Sequence, residues 1–228
     1  MRALIIFMTA SAVFCAGCVT MPAEVNPEYL VDRTAEEGRT LEKLGAAIIA
    51  KRQEIPDLKK KVEDAELKLK IVRGWTAILK QEKSLLENKQ KQFQLENDTA
   101  KMNANAKLMV DNDYQIRAEN ERLDYAKAVL ELAEAQQEVA EAELSVSVAE
   151  LAFEKAKIAR TYLVRKQGAT VPDDKKSSSK APESYDEKYR KYLEQQRERL
   201  VSKKTARDEA AKRLKVTEDR LKNKDMTK

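Results

Sequence analysis

The chain has 228 residues, of which 36% are charged and 5% aromatic, with five glycines and five prolines. That composition belongs to long charged helices and excludes a large enclosed globular core. The formal net charge is +5, and the absence of histidine removes the commonest general base and metal ligand.

Met1 and Arg2 make a short positive start, Ala3 to Phe14 is an apolar run, and small residues follow before Cys18. This is a secretory signal pattern. The run is shorter than the about 20 apolar residues that a membrane-spanning helix needs. Cys15-Ala16-Gly17-Cys18 resembles the lipobox of bacterial lipoproteins, in which small residues precede a lipidated cysteine. Cys15 stands where that family usually has leucine, but cleavage before Cys15 would put the bulky Phe14 at the position that must be small. The resemblance implies a signal peptide over residues 1–17 and a mature chain that begins at Cys18, with a diacylglyceryl group on its thiol and a fatty acyl chain such as palmitate on its amine. Several acyl chains hold a protein stably on a membrane, whereas one alone is marginal. Val19 follows where an aspartate would suggest inner-membrane retention, so the resemblance implies an outer-membrane anchor facing the periplasm. Cys15 would leave with the signal, and the mature chain would have no disulfide.

Residues 18–29 contain Pro22 and Pro27 and read as the lipidated N-terminus and a short extended tether. A long helical region follows over 30–166. Thr34 with Glu37 fits a capping box, in which side chain and backbone exchange hydrogen bonds at a helix start. Leu41, Leu44, Ile48 and Ile55 keep helical spacing, and Pro56 predicts a break or kink. After it, Leu58, Ala65, Val72, Leu79, Leu86, Phe93 and Ala100 recur every seven residues, beside a half-polar companion column of Val62, Leu69, Thr76, Lys83 and Gln90. Trp75, the only tryptophan, is expected to pack in this seam, with a binding anchor as the alternative. Between 97 and 113 the chain is rich in Asn and Asp, which favour caps and turns. Either the chain reverses there into an antiparallel hairpin, or one very long helix absorbs a slip in register.

From Leu123 to Ile158 two columns run on opposite faces. The first is Leu123, Leu130, Leu144, Leu151 and Ile158, with Gln137 its polar member; the second is Tyr125, Leu132, Val139, Val146 and Phe153. Alanines flank both. A helix with two apolar stripes requires two neighbours. Residues 167–183 are rich in small and breaking residues and read as a flexible linker. Ser184 and Glu187 suggest a second capping box, and Leu193, Leu200, Leu214 and Leu221 mark a C-terminal helix over 184–224, with Arg207 interrupting their column.

Charge nominates the neighbours. Glu119 to Glu154 holds ten acidic and two basic residues, net −8; Lys51 to Lys91 holds twelve basic and seven acidic, net +5; Asp186 to Lys228 holds fifteen basic and nine acidic, net +6. Charges beside an apolar seam select partner and orientation. The predicted fold class is therefore all-α: an elongated coiled coil or antiparallel helical hairpin with a third, C-terminal helix folded back along the acidic one. The same complementarity between chains would give a homo-oligomer.

Because lysines and arginines alternate with glutamates and have an acidic partner in the chain, the basic charge does not read as a nucleic-acid footprint. No catalytic, metal or cofactor site is predicted. The serines Ser177, Ser178 and Ser179 sit in the linker, and glutamate pairs such as Glu134 with Glu138 or Glu143 with Glu150 read as a solvated acidic face. The sequence thus leads to a non-enzymatic, lipid-anchored periplasmic coiled-coil protein with a structural or scaffold role in the cell envelope, its partners being the membrane through Cys18 and an envelope protein. The alternatives are a chaperone-like module for exported proteins and a peptidoglycan-linked tether. Lys228 resembles the terminal lysine of lipoproteins joined to the wall, a match of one residue.

Overall fold

The computed structural model describes residues 21–168 and 185–225. The signal pattern, Cys15, Cys18, Ser184, the three linker serines and Lys228 lie outside the described residues. The fold is all-α. A short 3-10 helix over Pro27–Leu30 precedes three helices: α1 (Ala35–Leu95), α2 (Thr99–Gly168) and α3 (Glu187–Asp225). The chain divides into two compact units. One takes the residues up to Ala50 with Ala142–Leu200, the other Lys51–Glu141 with the residues from Val201 onward.

α1 starts at the predicted capping box. Thr34 N donates to the Glu37 carboxylate (2.7 Å) and Glu37 N donates to Thr34 Oγ1 (3.2 Å), which satisfies two backbone donors that a helix start leaves without partners. The expected break is absent: α1 is continuous through Pro56. The proline is exposed, so the carbonyl its missing N–H leaves unbonded can be met by water, while Ile55 and Leu58 on either side stay half-buried.

In the second unit α1 and α2 form an antiparallel hairpin whose reversal needs no glycine or proline. Asn97 adopts φ 55°, a left-handed conformation that asparagine tolerates better than most side chains. Asp98 N donates to Phe93 O (3.1 Å) and Asn97 N to Gln94 O (3.2 Å), the paired bonds of a Schellman cap closing α1. The next residue starts α2. The Asp98 carboxylate accepts from Lys101 N (3.0 Å), and this bond, reinforced by the Lys101 ammonium, holds its pKa below the ordinary carboxylate value. One Asn-Asp pair is therefore C-cap and N-cap at once.

The other asparagines predicted to favour turns do different work. Asn105 and Asn112, each 3% exposed, lie inside the hairpin seam. Asn105 Nδ2 donates to Leu86 O (2.9 Å) and Gln90 Oε1 (2.8 Å), and Asn112 Nδ2 donates to Leu79 O (3.2 Å). Beside them Lys83 pairs with Asp113 at 2.8 Å. The polar companion column of α1 thus meets a polar column of α2. Paired polar layers hold one register, because a slip would strand buried donors and acceptors.

Along α2 three alanines are more deeply buried than any of the large residues in its columns. Ala149, Ala156 and Ala159 are 0% exposed, whereas Leu130, Leu132, Leu144, Leu151 and Phe153 are half-buried. Small side chains let neighbouring backbones come close, and the larger ones then close the rims of each seam. α3 runs antiparallel to α2, the helix that charge nominated as its neighbour. In the first unit Arg197 pairs with Glu150 (2.9 Å); in the second, Lys203 pairs with Glu138 (2.8 Å) and Arg213 with Glu131 (3.3 Å).

Candidate functional site

In the first unit the described chain begins in a packed cluster. Val25 is buried with Ala156, Ala159 and Tyr189, and Tyr29, Leu30, Phe153 and Tyr185 pack around this cluster. Pro27 opens the 3-10 helix, whose start is capped by the Asn26 side chain accepting from Glu28 N (3.1 Å). This turn aims Tyr29 into a row of rings. It stacks on Tyr162 (centroids 5.7 Å apart) and meets Tyr185 edge-on (6.4 Å), and Tyr185 in turn lies 6.0 Å from Tyr189.

Tyr189 is the centre of the arrangement. Its hydroxyl donates to the carbonyl of Ala23 at 2.8 Å, so α3 holds the N-terminal segment by its backbone, independent of that segment's side chains. Lys188 Nζ stands 5.1 Å from the Tyr189 ring centroid and 5.6 Å from that of Tyr185. Burial first, then the neighbouring Tyr189 and Tyr29, pushes the Tyr185 pKa up to about 12, so its phenol stays neutral at physiological pH. Arg160 of α2 reaches Asp186 at 3.4 Å, and the Asp186 carbonyl accepts from Tyr189 N and Arg190 N as α3 begins. Four tyrosines from three separate stretches, together with an ion pair, thus clasp residues 21–30 to α2 and α3.

Sequence reasoning reads residues 18–29 as an extended tether; in the described part of that segment Val25 is buried and Pro27–Leu30 form a helical turn that carries the half-buried Tyr29. The signal was faint: aromatic residues are scarce in this chain, and four of its seven tyrosines stand at 29, 162, 185 and 189. Only chain reversal brings them together.

The residues singled out for chemistry are dispersed. Glu138 and Glu150 are occupied by Lys203 and Arg197, and Glu134 is exposed. Among the described residues no group of three or more Asp, Glu, Cys or His is placed to hold a metal ion, and no helix is long and apolar enough to cross a membrane. Trp75 corrects the sequence reading. It lies outside the seam, whose neighbouring positions are Val72 and Thr76, and is 58% exposed. Comparison with protein-family models, with curated proteins and with solved structures returns no match.

Proposed function

We propose that this chain is a lipid-anchored coiled-coil protein of the cell envelope, held by acyl chains on Cys18 at the outer membrane, facing the periplasm and serving as a strut or scaffold. The observation that carries the reading is the clasp. Ala23 and Val25, five and seven residues after Cys18, are bonded or buried against α2 and α3. A lipid anchor at Cys18 would thus be joined to the helices by a link of a few residues, and force or position would pass from membrane to helix with little slack. The helices supply reach: the α1 stretch of the second unit, 51–95, rises about 65 Å at 1.5 Å per residue. The lipobox resemblance supplies the address.

The test is metabolic labelling with a palmitate analogue. The full-length chain should take up label and sediment with membranes; Cys18→Ala should lose the label and leave the membrane fraction or stall as precursor. Label retained in Cys18→Ala would defeat the assignment.

A further inference from the structure

Leu67, Ile71, Trp75, Ile78 and Leu85 are each 51–58% exposed on α1, all within the second unit. They are not scattered. Ile71, Ile78 and Leu85 recur every seven residues, Leu67 and Trp75 lie one turn to either side of Ile71, and the whole set falls on the flank of α1 turned away from its seam with α2. Isolated apolar side chains on a surface need no explanation, but a contiguous row does. Gly74 lies in the same row, and a Cβ placed there would meet nothing within 4 Å, leaving a notch between Ile71 and Ile78. A heptad-spaced row with a notch and an exposed tryptophan has the form of a seam awaiting another helix, with Trp75 as its anchor.

Charge selects the occupant. From Lys60 to Lys91 the helix carries nine basic and five acidic residues, net +4, with Lys68 and Lys70 exposed beside the row. A second copy fits poorly. Its own α1 row is equally basic, between Glu119 and Glu154 every exposed residue is charged, and the apolar residues exposed beside its Asp111 and Asp113, namely Leu108, Val110 and Tyr114, do not recur at heptad spacing. We propose that the Leu67–Leu85 face docks an amphipathic helix of another protein, with apolar residues at heptad spacing flanked by Asp and Glu. The proposal does not depend on where or how the chain is anchored.

Photo-crosslinking in the native cell tests it on the full chain. p-Benzoylphenylalanine is placed at Ile78 and, as an off-face control, at exposed Lys80, about 200° around the helix. After irradiation the crosslinked peptide is sequenced by mass spectrometry. Position 78 should capture one peptide of a different protein, net acidic and with heptad-spaced apolar residues, in at least tenfold greater yield than position 80. Trp75→Ala, and separately Ile71→Ala, should cut that yield at least tenfold with the helical circular dichroism unchanged. A crosslink to this chain's own sequence would make the face a self-association site, lipid adducts would make it a membrane surface, and a basic or unpatterned peptide, equal yields at 78 and 80, or no adduct would each overturn the proposal.

Discussion

Two helix surfaces differ in what they show to water. Over Glu119 to Glu154 of α2 every exposed residue is charged, whereas over Leu67 to Leu85 of α1 five large apolar residues are exposed. Both helices have the heptad columns of a coiled coil. The difference lies in the number of neighbours: the acidic segment buries two stripes and spends its remaining surface on charge, while α1 buries one half-polar seam and keeps a second apolar row uncovered. A large apolar residue at heptad spacing therefore does not by itself reveal whether its partner lies within the chain.

The contrast is sharpest for a charge introduced on each surface. Ala149→Asp puts an uncompensated carboxylate at a fully buried position and should cost about 3–5 kcal/mol, read as a large fall in melting temperature or loss of the folded state. Ile78→Asp, on the exposed row, should stay within about 0.5 kcal/mol of the parent. Similar losses in thermal melts of the two variants would erase the distinction between a closed and an open face.

A smaller effect is expected inside the hairpin seam. Asn105→Ala removes both side-chain hydrogen bonds from this layer, leaving Gln90 Oε1 without its donor and the Leu86 carbonyl with its intrahelical bond alone, at a cost of about 1–3 kcal/mol in urea unfolding. Replacing both members, Asn105→Leu with Gln90→Leu, should recover most of that loss and relax the register, which cysteine pairs placed across the hairpin would report as crosslinks between positions out of step. A double variant as unstable as the single one would show that the polar layer acts in some way other than as a matched pair.

The smallest effects belong to exposed charges, where screening keeps each pair weak. The Asp98 pKa is lowered from 3.8, so its contribution is present above that value and is lost as pH falls through the lowered folded value. The Lys83 pKa is raised from 10.5, chiefly by its hydrogen bond to Asp113, so its contribution is present below 10.5 and lost as pH rises through the raised value. Melting temperature should therefore be flat between about pH 5 and 10 and decline gently on both sides. A step near pH 6.5 would contradict this, since the chain has no histidine to titrate there.

The sequence by itself determined that the chain is helical, which columns of α1 face inward and that basic α3 pairs with acidic α2. The columns of Leu58 to Phe93 and Val62 to Gln90 face inward along α1, Thr34 and Glu37 form their capping box, and α3 meets acidic α2 through Arg197, Lys203 and Arg213. These features follow from spacing and sign, and both can be read along a single strand of text. Tertiary structure alone decided that Asn97 and Asp98 make the reversal while Asn105 and Asn112 turn inward, because an asparagine caps a helix or bridges a seam according to what lies across from it. It also decided that Tyr29, Tyr162, Tyr185 and Tyr189 form one clasp and that Trp75 stands outside its seam. In each case the deciding neighbour is distant in sequence or absent from the chain's own packing, and periodicity contains no information about it.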